Sequence, residues 1–201
     1  MSTRTKGGIL LPILLVVGGY FVVTETDLGS KIGDIFASPG GEPQGVAVPP
    51  EFHGRVKSCT AVQLAADKRC GDDKVLPIDA AKMPYIARNI TLAWESRPET
   101  AALTKASYKE RQNYRASGCG RFARTIRSDD PKKAGSCDEF PFKSTEEGGT
   151  GSRIEEVPTG EQNIQGGTIS SFYQKHKMVD GDKYLVVIIN PASIATGPYE
   201  G

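Results

Sequence analysis

Arg4 and Lys6 precede an apolar run from Gly7 to Val23 that carries no charge, and this run fixes the compartment in which the rest of the chain must fold. It is about 25 Å long if helical at 1.5 Å per residue, enough to enter a bilayer core and short for a full span. With its basic flank held inside, it reads as an export segment over residues 1–23, either a cleaved signal peptide or a retained N-terminal membrane anchor. The remainder is then secreted or anchored to the outer face of the cytoplasmic membrane. Export changes how the four cysteines are read. Cys59, Cys70, Cys119 and Cys137 include no Cys-x-x-Cys, so a structural zinc site is not expected, and an even count outside the cytoplasm reads as two disulfides. Three connectivities exist, of which Cys59–Cys70 with Cys119–Cys137 is favoured because short loops close most readily.

Residues 24–50 are rich in Gly, Pro, Ser and acids, including Ser38-Pro39-Gly40-Gly41 and Pro49-Pro50, and offer too few large apolar groups for a core. They read as a flexible linker. One domain over residues 51–201 is left, large enough for a modest core reinforced by disulfides. The 201-residue chain is 38% apolar with 25 basic and 24 acidic side chains. That balance excludes a mostly disordered chain and a strongly basic surface, so any nucleic-acid contact must come from local charge segregation. A monomer is expected.

Within the domain, Ile86, Ile90, Ala93 and Trp94 fall on one face of a helix over 83–94, with Pro84 suited to its first turn and Pro98 beyond its end. A second helix is expected from Ser107, whose hydroxyl would cap while Glu110 reaches back, to before Gly118. Residues 120–136 read as a basic, irregular loop. Phe140 and Phe142 alternate with Pro141 and Lys143, Gly148-Gly149-Thr150-Gly151 breaks the chain, and Arg153 to Val157 resumes it, which predicts two strands around a loop. Ile169, Phe172, Tyr173 and His176 predict an amphipathic helix from Gly167 to before Asp180, and Tyr184 to Ile189 a buried strand stopped by Pro191. The fold class is therefore α+β, a short antiparallel sheet with flanking helices.

Charge along the chain is segregated. Asp138, Glu139, Glu146, Glu147, Glu155, Glu156 and Glu161 face only Lys143 and Arg153 between residues 134 and 162, whereas Arg115, Arg121, Arg124, Arg127, Lys132 and Lys133 outweigh Asp129 and Asp130 just upstream. Such runs commonly form solvated faces. Here the acids lie on two strands and a helix separated by a glycine break, an order that can gather oxygen ligands for a hard cation such as Mg²⁺ or Mn²⁺ beside a phosphodiester.

Cys137-Asp138-Glu139-Phe140-Pro141-Phe142, Glu147-Gly148-Gly149, Val157-Pro158 and then Glu161, Gln165, Gly166 and Gly167 resemble the signature of the NucA/NucB deoxyribonucleases. The resemblance extends over about residues 56–195, taking in Met83 to Asn89, Trp94 and the strand from Val186 to Asn190. It implies a small ββα-metal-like nuclease domain that is exported, metal-dependent and sequence-nonspecific, and that lacks the usual histidine base. Only His53 and His176 exist, one beside the linker and one at a helix end, and neither suits that role.

By this resemblance Asp138 is the catalytic acid residue, acting on the attacking water or holding metal. Glu139 points to the opposite side of the strand, either as a second catalytic carboxylate or paired with an arginine of the basic stretch. Glu161 matches the acid on the metal helix. Family members commonly follow that acid with Asn, while here Gln162 precedes Asn163, so the metal set is Asp138, Glu161 and one amide of Gln162 or Asn163. Glu147 would orient a metal-bound water or lie in an exposed turn. Gln165-Gly166-Gly167 would open the helix and admit a phosphate. Arg115, Arg121 and Arg124 would hold neighbouring phosphates, while Trp94 and Arg88 read as core and helix-surface residues. Asn89-Ile90-Thr91 fits the glycosylation pattern, a short match given no weight. Two rival readings are a non-catalytic exported binding module, which would never nick DNA, and a nuclease toxin against competing bacteria, which would have an immunity or inhibitor protein as partner.

Overall fold

The computed structural model describes residues 45–201; the expected export segment and residues 24–44 of the expected linker lie outside this range. The folded chain begins earlier than Glu51. Val46–Ala47 form strand β1, and Val46, Ala47 and Val48 are buried, so the linker reading fails for the last of its residues. Their small apolar side chains cover the edge of the central strand, a tertiary role that composition alone does not disclose.

Four strands and one neighbour build the main sheet. Strand β7 (Lys183–Ile189) is central, and every residue after Lys183 is buried, as its continuous β-branched run requires. On one side it pairs in parallel with β3 (Asp73–Asp79), Val75 opposite Leu185 and Asp79 opposite Ile189. On the other, β1 pairs antiparallel with its end and β4 (Ala102–Thr104) with its beginning. Strand β2 (Arg69–Cys70) pairs with β3 only at Asp73 and Lys74, so beyond Lys74 the far edge of β3 has no strand partner and tolerates Pro77, which lacks an N–H. This mixed sheet is an addition to the antiparallel one expected. Short helices α1 (His53–Val56) and α2 (Ala61–Asp67) lead into it, the latter opened by a capping box between Thr60 and Gln63.

The expected helix forms as α3 (Pro84–Ser96), with Ile86 and Ile90 fully buried and Trp94 packed edge-on to Phe140. Helix α4 (Glu110–Ala116) follows a 3₁₀ turn at Ser107–Lys109. The expected Ser107–Glu110 cap is absent: the Ser107 N–H donates to Asp180 Oδ1 and Glu110 pairs with Lys143. Strand β5 (Gly135–Phe140) and β6 (Arg153–Pro158) form the antiparallel hairpin, with Asp138 opposite Glu155. Strand β5 lies earlier than Phe140-Phe142 suggested, because Pro141 ends it. Pro158 then caps α5 (Thr159–Lys175), which starts well before Gly167. Both disulfides have the favoured connectivity. Among the described residues no helix is long and apolar enough to cross a membrane.

Candidate active site

Hairpin β5–β6, helix α5 and helix α3 meet around Asp138. Its side chain leaves the hairpin on the Glu155 face and is fully buried. Asn89 of α3 donates from Nδ2 to Asp138 Oδ2 at 2.8 Å. Arg153 reaches both Asn89 Oδ1 and Glu155, and Arg88 closes on the other oxygen of Glu155. Glu155 is thus balanced by two guanidinium groups, and the chain of contacts fixes which way the Asn89 amide points toward Asp138.

From α5, Gln162 and Gln165 approach the same carboxylate closely enough to hold its pKa down. Neither completes a well-aligned hydrogen bond on the remaining oxygen. Asp138 Oδ1, Gln162 Oε1 and Gln165 Nε2 are all buried without a partner among the described residues, a concentration of unsatisfied polar atoms that folded proteins rarely leave unused. Burial pushes Asp138 up to about 6, the amides of Asn89, Gln165 and Gln162 opposing and the charge of Glu155 adding.

Glu161 accepts the backbone N–H groups of Tyr85 and Ile86 at 3.0 and 3.1 Å, at the first turn of α3. Burial nonetheless raises it to about 7, and the charge of Asp138 contributes. Glu139, on the other side of β5, is pushed to about 7 by burial and then by Asp138, with Lys143 opposing. It has no ion-pair partner among the described residues, so the expected arginine pairing is not made.

The sequence candidates separate clearly. Asp138, Glu161, Gln162 and Gln165 are brought together, with Glu139 at the adjoining surface. Asn163 is exposed, a further 100° around α5, so Gln162 is the amide beside the carboxylates. Glu147 accepts the Thr104 N–H at 2.9 Å and anchors β4, which replaces the water-orienting role. Gln165-Gly166-Gly167 lie in the middle of α5, not at its start, so a phosphate site at a helix N-terminus is not formed there. His176 caps α5 and its Nε2 meets the Lys68 carbonyl oxygen at 2.8 Å, partly buried and away from the cleft rather than solvated.

A groove of about 830 Å³ runs between α5 and the segments following β4 and β5, and a smaller cavity of about 310 Å³ adjoins it toward Arg124. Glu139, Lys143 and Gln162 line both. Asp138 and Glu161 line neither, while Gln162 and Gln165, which approach Asp138, both line the larger. Of the basic residues, Arg124 lines the smaller cavity, while Arg115 and Arg121 are exposed. Arg115 lies on α4, and the loop that carries Arg124 is held by Glu156, whose carboxylate accepts the N–H groups of Thr125 and Ile126. Gly135 makes this possible, since a Cβ there would lie 1.9 Å from Glu156 Oε1.

Asn89 had no catalytic or binding role assigned from sequence; Arg88, read as a helix-surface residue, is instead mostly covered and paired with Glu155, and Glu155 and Arg153, read only as part of a charge run, pair with each other. Asn89 is fully buried, which also removes it as a glycosylation acceptor in the folded chain. Its signal was present: it lies three residues after Ile86, a polar residue within the apolar face of α3.

A small α+β domain whose hairpin and following helix converge carboxylates and amides on one cleft has the build of a nuclease domain. Residues 91–187 match the family model described as Deoxyribonuclease NucA/NucB, so this stretch of the chain is similar to that family. The matched stretch runs from within α3 into β7 and includes Asp138, Glu139, Glu161, Gln162 and Gln165. No curated protein matches the chain.

Proposed function

We propose that this protein is an exported endonuclease that hydrolyses DNA phosphodiester bonds without sequence preference and works with one divalent cation, Mg²⁺ or Mn²⁺. The observation that carries the reading is the set of partnerless buried atoms at Asp138 and Gln162, placed beside Glu161 and directly behind a groove.

The donor chemistry fits a hard cation. Asp138, Glu161 and Gln162 offer oxygen atoms, and two carboxylates with an amide suit an ion that keeps several waters. Among the described residues no three Asp, Glu, His or Cys side chains form a metal cage, so an amide oxygen and water are needed to complete the set. When bound, the ion supplies positive charge to a phosphoryl oxygen and to the leaving group.

The chain's own side chains do the rest. Asp138, held by Asn89, accepts the proton of the attacking water; burial raises its pKa to about 6 in the metal-free chain, which still leaves it ionised at neutral pH. Lys143 and Arg124 flank the junction of the two cavities and pair with phosphates on either side of the cut. Contacts of that kind carry no base information, so cleavage is sequence-tolerant and weakens as salt rises. One observation favours a second assignment of the base: Glu139 lines the groove and Asp138 does not.

Export is supported by the apolar N-terminal run and by two disulfides with no free cysteine. Plasmid nicking by the purified chain tests the reading: activity with Mg²⁺ or Mn²⁺, loss in EDTA, and at least hundredfold loss in Asp138→Ala and Glu161→Ala. If Asp138→Ala nicks as fast as the parent while Glu139→Gln does not, the base is Glu139. A parent chain that never nicks is a binding module.

A further inference from the structure

We propose that the groove beside α5 is a subsite for one unpaired nucleoside of a DNA strand, next to the phosphate being cut, so that the enzyme favours single-stranded or locally melted DNA over an intact duplex. The inference rests on the nuclease reading above and adds the form of the substrate.

The groove is continuous with the catalytic cleft, since Glu139, Lys143 and Gln162 belong to both cavities. Its lining is mixed: Phe142, Ile169, Tyr173 and Met178 give it an apolar portion among Ser, Gln, Glu and Lys side chains, with no Arg, whereas a surface built to grip a duplex is dominated by Arg and Lys. A duplex turns sugars and phosphates outward and hides the faces of its bases, so an apolar floor gains nothing from it. An unstacked base has a face to bury there, and aromatic or apolar platforms of this kind favour single strands without demanding a particular base. The volume of about 830 Å³ is within the range of small-molecule pockets, roughly 300–1,000 Å³.

Helix α5 is shaped to the same end. Gly166 lines the groove in mid-helix, and a Cβ there would meet nothing within 4 Å. No packing among the described residues requires glycine at that position, and it weakens a helix by roughly 0.5–1 kcal/mol relative to alanine. Its absence of side chain leaves the wall bare where a ligand would lie. Hydrogen-bonding groups stand at the end nearest the cut, where Gln162 and Gln165 are incompletely paired. Two of the lysines that line it, Lys143, which is shared with the smaller cavity and paired with Glu110, and exposed Lys177, can meet phosphates flanking a nucleoside in the groove.

The test compares cleavage by the purified full chain, with Mg²⁺ or Mn²⁺, of one oligonucleotide sequence as a single strand, as a perfect duplex, and as a single strand carrying one abasic residue at successive positions. The expected result is a kcat/KM at least tenfold higher for the single strand than for the duplex. Cutting should also fall about tenfold when the abasic residue lies immediately beside the cleavage site. Gly166→Leu, which projects into the groove from a position with room for a side chain, should lower kcat/KM on the single strand about tenfold more than on the duplex. Equal cutting of both forms, indifference to the abasic residue, or an equal loss on both substrates in Gly166→Leu overturns the subsite while leaving a nuclease. Failure to cut any of the three overturns the nuclease reading and the subsite with it.

Discussion

Asn89 donates to Asp138, 49 positions later in sequence, at 2.8 Å and from a helix that precedes the hairpin. The contact makes α3 part of the site and not simply its support. Arg153 occupies the Asn89 oxygen, so the amide cannot turn over, and its N–H₂ stays directed at the carboxylate. Asn89→Ala therefore removes a donor from a buried acceptor, a change that costs about 1–3 kcal/mol, and lets Asp138 rotate. We expect DNA cleavage to fall 10- to 100-fold, as losses of such supporting partners do. Plasmid nicking and a urea melt on the same preparation check both parts.

Asp138 also makes the metal-free protein sensitive to pH in an unusual direction. Its carboxyl is raised from 3.8 in a solvated chain to about 6 in the folded one, so between those values the folded state holds the proton more tightly. The resulting stabilisation is fully present below pH about 4 and is lost as pH rises through 6. The difference is worth about 3 kcal/mol at most. In EDTA, Asp138→Asn, which cannot ionise, should melt several degrees above the parent at pH 7.5, and the gain should vanish near pH 4. Thermal melts of both chains across that range check it. No gain at pH 7.5 would mean that the buried carboxylate is already compensated without metal.

Most of what the sequence disclosed came from patterns that physics makes unambiguous. Tyr184 to Ile189 could only be a buried strand, Ile86, Ile90 and Trp94 could only be one face of a helix, and cysteines 11 and 18 positions apart close easily into loops. The first half of α5 was illegible for a reason tied to function. Its buried positions are Glu161 and Gln165, so the apolar stripe that marks a helix begins only at Ile169. Asp138 and Glu161 emerged through family resemblance, whereas Asn89 and the Arg88–Glu155–Arg153 cluster depend on packing between distant segments that no local pattern encodes. Strand β3 was hidden by Pro77, harmless only because β2 is too short to need a partner there.

The start of the domain offers a direct check on that account. Val46, Ala47 and Val48 are buried, Gly45 accepts the N–H of Asn190, and the Val48 carbonyl meets His53 Nε2. A chain beginning at residue 51, where composition places the boundary, loses these contacts and bares the edge of β7 at Ile188 and Ile189. At about 1.5–3 kcal/mol per buried valine, it should be destabilised by about 3–6 kcal/mol relative to one beginning at residue 45. Paired chemical denaturation curves measure the difference, and equal midpoints would show that β1 contributes nothing.

The two disulfides should differ in what they protect. Cys59–Cys70 ties α2 to β2 away from the carboxylates, whereas Cys119–Cys137 spans 18 positions, ends one residue before Asp138 and encloses Arg121, Arg124 and Arg127. Cross-links of such loops contribute about 3 kcal/mol, so the paired serine variants of either should lower the melting temperature. Only the second should change the enzyme's hold on DNA. With Cys119→Ser and Cys137→Ser, the basic loop is left against the hairpin through hydrogen bonds, those of the Thr125 and Ile126 N–H groups to Glu156 and of the Gly135 N–H to the Ile126 carbonyl. Freed to move, Arg124 loses its fixed place beside Glu139 and Gln162. At temperatures where both variants remain folded, KM for DNA should rise several-fold in this variant and stay at the parent value in Cys59→Ser/Cys70→Ser. An unchanged KM in both would mean that the basic loop does not meet the substrate.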